Sequence, residues 1–172
     1  MKHLLLFAVL ALLGPSHAFA QQYESKILEQ KSAPVVIEEY QAAYQRRVGA
    51  YQREGIRHSL KYRSNTDRPI IALQFGLVSF DIWDEFLDRM GGVTMESLKP
   101  SEKKSGEWIA TAYADFSFRT GVAYVSKVRF ADGEIWTVDL DWVLAQMRKI
   151  EKDFDAKNLK KKNEPLPKPD TP

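Results

Sequence analysis

The feature that most constrains this chain is an alternation of apolar and polar side chains that begins at Ile56 and recurs as far as Trp136. In the segment IRHSLKYRS, residues 56–64, Ile, His, Leu and Tyr alternate with Arg, Ser, Lys and Arg. Successive side chains of a β-strand point to opposite faces, so this period of two predicts a strand with one buried and one solvated face. We therefore predict a mainly β fold, an antiparallel β-sandwich.

Later segments repeat the alternation, and we predict a strand in each of them: 70–80, 107–118 and 121–130. Between the first two lies DIWDEFLDRMGG, residues 81–92, whose apolar side chains recur about one helical turn apart. This spacing predicts a short amphipathic helix or a wide loop that ends at Gly91-Gly92. Residues 95–106 are rich in Ser and Lys, which is typical of a loop between sheets.

Residues 35–52 fit two kinds of secondary structure. Tyr40, Tyr44 and Val48 recur at helical spacing. The β-branched start at 35–37 and the alternation that follows are instead typical of a strand. We favour a strand over 35–46, because it would pair with the strand that begins at Ile56 across the intervening turn. The helical alternative stays open.

The segment VRFADGEIW joins two short alternating runs, 128–130 and 135–137, through Asp132-Gly133. Asp-Gly tolerates positive φ at both positions, as a two-residue type I′ turn requires. The pattern therefore predicts a β-hairpin. It also gives Asp132 a structural reason to be there, as a turn residue and not as a working carboxylate.

Residues 1–20 have the pattern of a cleaved signal peptide. A charge at Lys2 precedes the apolar run 4–13, and Ala18-Phe19-Ala20 provides a small-x-small cleavage site. The apolar run is too short to span a bilayer, so we predict no stable membrane anchor. The chain also contains no cysteine, which excludes a lipoprotein anchor and disulfides. We predict a periplasmic or secreted bacterial protein whose polar residues 21–33 form a flexible lead-in.

The C-terminal part of the chain predicts a helix followed by a tail. Asp139 is a suitable N-cap for a helix over 140–158. An apolar stripe runs along this helix: Val143, Met147, Ile150 and Phe154. The stripe must dock either on the sandwich, predicted over 34–139, or on a partner. Residues 159–172 are charged and Pro-rich, and we predict a disordered tail.

Several segments echo one known family, and they occur in this order: NTDRPI (65–70), FGLVSFD (75–81), ESLKP (96–100), Trp108 and VSKVRFADG (125–133). The arrangement resembles the FxLYD domains of small exported bacterial proteins. The resemblance covers residues 60–136 and implies an immunoglobulin-like sandwich. It brings no catalytic residues with it.

The composition leaves few routes to reactive chemistry. His58 is the sole histidine that remains once His3 and His17 leave with the signal peptide. Ser59 adjoins it but points to the opposite strand face, so no nucleophile pair forms, and we predict a hydrogen-bonded core or boundary histidine. With no cysteine and one histidine, we predict no metal site, no cofactor and no catalytic residue.

Other candidate groups have structural explanations. Four acidic residues fit a solvated helix face better than a calcium loop: Asp81, Asp84, Glu85 and Asp88. Four tryptophans fit apolar periodicities, and we predict that they fill the core rather than form a sugar-stacking platform: Trp83, Trp108, Trp136 and Trp142. Lysines 160–162 lie in the tail, and the formal net charge of +2 predicts no nucleic-acid partner.

These observations favour a non-enzymatic module that binds an envelope protein or glycan, or serves a structural role there. The alternative is a carbohydrate-active or other hydrolase that uses only Asp, Glu and Tyr, since paired carboxylates meet in space and not in sequence. A deep pocket with converging carboxylates would favour the enzyme. An exposed aromatic or apolar patch would favour binding.

Overall fold

The structure, a computed structural model, describes residues 23–46, 53–110 and 117–160. Their elements are, in chain order, β1 Glu24–Ile27, β2 Val35–Gln45, β3 Gly55–Ser64, β4 Ile70–Asp81, β5 Phe86–Thr94, β6 Lys103–Ala110, β7 Phe118–Phe130, β8 Ile135–Thr137, α1 Leu140–Met147 and a C-terminal 3₁₀ helix, Ala156–Leu159. The large sheet has the order β1-β7-β4-β5, with β8 also paired to β7, and the small sheet has the order β2-β3-β6. The predicted mainly β sandwich with a C-terminal helix is confirmed.

The inner core lies between the two sheets. Alternate side chains of β3, including Leu60 and Tyr62, turn inward as the period of two predicts. Tyr62 packs on Phe75 of the large sheet with ring centroids 5.0 Å apart, and Trp108 packs on the same ring at 5.5 Å. Aromatic pairs at these separations add to the stabilisation that comes from burial itself. The inner core therefore joins the two sheets into one unit.

A second apolar cluster covers the outward face of the large sheet. Val143 and Met147 of α1 are fully buried there, together with Val78 of β4. Phe154 packs against the rings of Phe80 and Phe86 at 5.8 and 5.5 Å. The stripe of the C-terminal segment thus docks on its own sheet and not on a partner. The large sheet is buried on both faces, between the small sheet and the helical layer.

The helix or loop predicted for 81–92 is wrong, because Phe86–Thr94 forms strand β5. Gly91 and Gly92, which we expected to end a helix, pair with Gly76 and Phe75 of β4. A tight turn at 82–85 changes the phase between the two strands. Apolar residues on either side of the turn therefore recur at a spacing that imitates a helix.

The strand that we favoured over 35–46 is confirmed, since β2 ends at Gln45 and pairs with β3. Residues 47–52 lie outside the described part of the chain. The flexible lead-in at 21–33 is wrong for Glu24–Ile27, which forms β1 and pairs in parallel with β7. The segment is ordered because two apolar side chains at its ends, Tyr23 and Ile27, pack against the inner core.

The helix predicted over 140–158 is shorter in the structure. α1 begins after Asp139, whose carboxylate accepts hydrogen bonds from two backbone N–H groups as an N-cap, but it ends at Met147. The guanidinium of Arg148 donates to the carbonyl of Phe154 at 3.3 Å, which closes a turn that keeps Phe154 on the sheet. Leu159, placed in the predicted tail, is buried in the same layer. Residues 161–172 are outside the described ranges.

The loop predicted over 95–106 is only partly correct. Leu98 is buried and exchanges backbone hydrogen bonds of 2.8 and 3.0 Å with Ile70, and strand β6 already begins at Lys103. Of the strand predicted over 107–118, residues 107–110 belong to β6 and Phe118 begins β7, while 111–116 lie outside the described ranges. The strand predicted over 121–130 lies within β7.

The hairpin at Asp132-Gly133 is confirmed, but its turn type differs from the prediction. Gly133 has φ of 95°, whereas Asp132 is not among the residues with positive φ. Phe130 accepts a hydrogen bond from the N–H of Gly133 at 3.0 Å and donates one to the carbonyl of Glu134 at 3.0 Å. This is a three-residue loop with a bulge at glycine, which needs positive φ at one position only. Among the described residues, no helix is long and apolar enough to cross a membrane.

Candidate binding surfaces

His58 lies on the inward face of β3 and is fully buried, as the strand phase predicts. Its Nδ1 and the Tyr40 hydroxyl are hydrogen-bonded at 2.7 Å, and its Nε2 is buried with no partner among the described residues. Burial lowers the pKa of His58 from 6.5 to about 4 and raises the pKa of Tyr40. Because the imidazole is neutral and shut away from solvent, it belongs to the core and not to a solvent-facing site.

Asp132 lies at the hairpin corner, where its Oδ1 accepts a hydrogen bond from the N–H of Glu134 at 3.1 Å. Arg68 donates to Asp132 and Glu134 at 2.6 and 2.7 Å and stacks over the ring of Phe130, 3.8 Å from its centroid. The hydrogen bond from Arg68 lowers the pKa of Asp132. The carboxylate of Asp132 is exposed and paired with the guanidinium of Arg68, which fits the turn role that the sequence predicts.

The four acidic residues do not share a helix face, because Asp81 ends β4, Asp84 and Glu85 lie in the β4–β5 turn and Asp88 lies in β5. Asp81 is buried and structural, because its carboxylate accepts hydrogen bonds from the N–H groups of Trp83 and Glu85 at 2.8 and 2.9 Å. Within the described ranges, no three acidic or histidine side chains are grouped in a way that would hold a metal ion.

The tryptophans divide into two kinds of environment. Trp108 packs against the inner core, Trp142 against the outer cluster and Trp136 against both, and all three are half-buried. Trp83 is 75% exposed, so its assignment to the core is wrong. Its neighbour Ile82 is 51% exposed. Two adjacent bulky apolar side chains therefore project into solvent from one turn. Of the lysines in the predicted tail, Lys160 is described and exposed, and 161–162 fall outside the described ranges.

We call this turn, residues 82–85, the tip. Its backbone is closed by hydrogen bonds from Asp81 N–H to the Glu85 carbonyl at 2.9 Å and from Asp84 N–H to the Asp81 carbonyl at 3.1 Å. Asp84 adopts the left-handed region with φ of 62°, which Asp tolerates better than most residues do. Together with the carboxylate of Asp81, these bonds fix the backbone that carries Trp83.

The surroundings of the tip are negatively charged. Asp84 and Glu85 belong to the tip itself, and Glu151 lies close enough for the charge of Glu85 to act on it. Burial raises the pKa of Glu151, and the charges of Glu85, Asp153 and Asp81 raise it further. The tip is therefore an apolar projection with an acidic base.

A separate polar cleft of about 450 Å³ lies on the outward face of the small sheet. Its polar lining includes Gln41, Ser59, Ser105 and two carboxylates, Glu39 and Glu107. Glu39 pairs with Lys61 at 2.8 Å, and Glu107 accepts from the Ser59 hydroxyl at 3.2 Å. The side chains of Glu39 and Glu107 are 64% and 53% exposed. The cleft can form hydrogen bonds, but its carboxylates are solvated.

Sequence reasoning found the buried histidine and the hairpin corner, but it missed the tip. The available signal was Asp81, since an Asp that precedes two non-glycine residues and a second Asp can close a turn with its own carboxylate. The helical spacing on either side of 82–85 concealed that signal.

Comparisons with known proteins add a fold likeness only. No family model matches the chain, and no curated protein matches it. Among solved structures, the chain is similar to a hypothetical protein from Peptoclostridium difficile 630, with a TM-score of 0.50 and 8% identity over 67% of this chain and 92% of that one. At this identity the likeness concerns the fold alone.

Proposed function

We propose that this chain is an exported, non-enzymatic binding module of the bacterial cell envelope, and that the tip contacts its protein partner. The observation that carries this proposal is the 75% exposure of Trp83 on a turn that is closed by its own hydrogen bonds. Large aromatic residues are frequent anchors of protein interfaces. Truncation of such an anchor to Ala costs about 2 kcal/mol or more of binding free energy. A turn that is already ordered loses little further entropy on binding.

The partner that fits the tip has a defined chemistry. Ile82 and Trp83 require an apolar pocket, and the acidic residues at their base require basic side chains on its rim. Electrostatic complementarity of this kind raises association rates and excludes partners of the wrong charge. The same acidic base disfavours insertion of the tip into an anionic lipid surface.

The proposed resemblance to immunoglobulin-like FxLYD domains gains support from the order of the strands. If β2, β3 and β6 are equivalent to strands A, B and E, then β5, β4, β7 and β8 are equivalent to C′, C, F and G. The equivalence follows the chain order without exception. Strand β1 is then an addition that pairs with β7 beside β8. Domains of this class commonly bind through loops at the ends of the sandwich.

The hydrolase alternative has weaker support. A general acid in glycoside hydrolysis needs a carboxyl group whose pKa is raised by burial. Burial raises the pKa of Glu151 in this way, but Glu151 does not line the polar cleft. The carboxylates that do line it are mostly exposed, and Glu39 is held by Lys61. The cleft suits hydrogen bonding to a glycan better than it suits proton transfer. It makes a glycan the second partner to test.

The test uses the chain from Gln21 onward, immobilised and exposed to envelope extract and to a glycan array. The variant Ile82→Ser/Trp83→Ser removes the tip, and Val93→Ser/Met95→Ser removes two exposed apolar side chains elsewhere as a matched control. We expect a protein that the wild type and the control retain and that the tip variant loses. We also expect retention to weaken with salt. A partner retained equally by both variants would contradict a role for the tip, and turnover of a glycan would favour the hydrolase.

A further inference from the structure

A pocket of about 360 Å³ lies between β5 and the C-terminal 3₁₀ helix. Its lining is unbalanced in charge, because Arg89, Lys157 and Lys160 contribute three cations and Asp88 is the one carboxylate. Asn158 adds an amide, and Phe86 and Leu87 add apolar walls. Neither the tip nor the polar cleft includes any of these cations.

Arg89 is the central group of this pocket. It pairs with Val78 in the β4–β5 register and is half-buried. Its Nε is enclosed and meets no hydrogen-bond acceptor in the part of the chain that the structure describes. Within those ranges Arg89 also forms no ion pair, although a carboxylate, Asp88, adjoins it in sequence. A half-buried guanidinium group without a counter-charge carries a desolvation cost, and its planar donors match a carboxylate or phosphate group.

A second unsatisfied group lies on the same face of the sheet. The hydroxyl of Tyr124 is buried and has no hydrogen-bond partner among the described residues. The ring of Tyr124 occupies the space above Gly76, which a Cβ would fill, and Gly76 is paired with Gly91 of the pocket lining. Burial raises the pKa of Tyr124, and the positive charge of Arg89 and a polar contact between the two side chains oppose that rise. The hydroxyl therefore lies close to the guanidinium, although the two form no hydrogen bond of good geometry. The two unsatisfied groups are therefore neighbours.

We propose that this pocket binds a small oxyanion, a phosphate or sulfate group, with Arg89 as its principal ligand. The guanidinium donates to the anion, and Lys157 and Lys160 balance the remaining charge from the 3₁₀ helix. Lys157 pairs with Asp155 at 3.0 Å, and its side chain is 85% exposed. The anion would join β5 to the C-terminal segment that covers the large sheet.

The test measures binding of inorganic phosphate and sulfate at constant ionic strength, with chloride as the reference. The readouts are the thermal midpoint and the ¹⁵N–¹H resonance of Gly91. The variant Lys157→Gln/Lys160→Gln reports on the pocket without touching the sheet, and Lys61→Gln/Lys103→Gln removes two lysines from the small sheet as the control. Arg89→Gln is the second pocket variant. Vesicles of phosphatidylglycerol, with phosphatidylcholine as reference, test a lipid headgroup as the source of the phosphate.

We expect phosphate or sulfate to raise the midpoint and shift Gly91 at millimolar concentration. The pocket lysine variant should bind about tenfold more weakly, as expected when charge-assisted hydrogen bonds are lost, and the control should bind as the wild type does. Vesicle binding that phosphate competes away would identify a headgroup as the source, and soluble binding alone would identify a free anion. No shift of Gly91 at any concentration, or equal weakening in both lysine variants, would overturn the proposal.

Discussion

The buried His58 makes the stability of this protein depend on pH in a way that can be calculated. The imidazole is 0% exposed, and its pKa falls from 6.5 to about 4 on folding. The folded pKa lies below the unfolded one, so the unfolded state binds more protons between these values. Stability from this group is therefore complete above pH 6.5 and is lost as the pH falls towards 4.

The size of the effect follows from the two pKa values. Linkage gives a loss of about 2 kcal/mol between pH 7 and pH 5, and of about 3 kcal/mol by pH 4. The physical cause is desolvation, because protonation would place a charge in the inner core, where Nε2 has no hydrogen-bond partner among the described residues. A loss of this size is a large fraction of the stability of a typical domain.

The assay compares urea unfolding of the wild type and His58→Asn, followed by tryptophan fluorescence at several pH values. Asn keeps a polar group for Tyr40 and does not titrate, so the carboxylates shared by both proteins cancel in the difference. The wild type should lose about 2 kcal/mol more than the variant between pH 7 and pH 5. In a chain that begins at Gln21, His58 is the sole histidine, so its proton resonance can be assigned without mutation. A resonance that titrates near pH 6.5, or parallel pH profiles for the two proteins, would refute the reasoning.

Three further outcomes can be measured by denaturation at neutral pH. Met147→Ala should lower the free energy of unfolding by about 2–5 kcal/mol, because its side chain is buried on the large sheet. Leu140→Ala, at a 41% exposed position of the same helix, should lower it far less. Equal effects of the two variants would mean that α1 is not docked. Gly121→Ala should cost about 1–3 kcal/mol, because an added Cβ would meet Ala42 and come within 2.5 Å of the Tyr40 hydroxyl; an unchanged midpoint would show that the sheets are not this close. Asp132→Asn should leave the urea midpoint nearly unchanged, because its ion pair with Arg68 is exposed, and a large loss would contradict the turn role.

The sheet could be predicted from the sequence wherever one face of a strand is solvated. In β3, Arg57, Ser59 and Lys61 mark the outward face, so the register follows from the side chains alone. The signal weakened in β5, which the small sheet and the helical layer border on its two sides and which contains Gly91 and Gly92. Glycine has no side chain to reveal a phase, and the two residues resemble a helix stop when read without β4.

The elements that depend on distant partners were harder to predict. Nothing local in Glu24–Ile27 specifies a strand, because β1 is ordered by pairing with β7, roughly a hundred residues later in the chain. Gln30 illustrates the same dependence, since its side-chain amide bonds the N–H and carbonyl of Val125 at 2.7 and 2.9 Å. A polar lead-in and an edge strand can have the same composition, and only the partner strand distinguishes them.

The tip and the pocket around Arg89 differ from the core, because the positions of their side chains do not follow from burial. Trp83 could have been placed in the core by any pattern that counts apolar spacing, yet the carboxylate of Asp81 fixes the turn that exposes it. Arg89 is the opposite case, a charged side chain that strand pairing places beneath the helical layer. Its Nε has no hydrogen-bond acceptor there among the described residues. The exposed indole of Trp83 and the unpaired Nε of Arg89 both depart from the usual pattern of burial and hydrogen bonding, and the described residues do not compensate for either. Such departures are expected where a protein meets a ligand. The two sites can be separated by experiment, because removing Trp83 should leave phosphate binding intact and removing the pocket lysines should leave the protein partner bound.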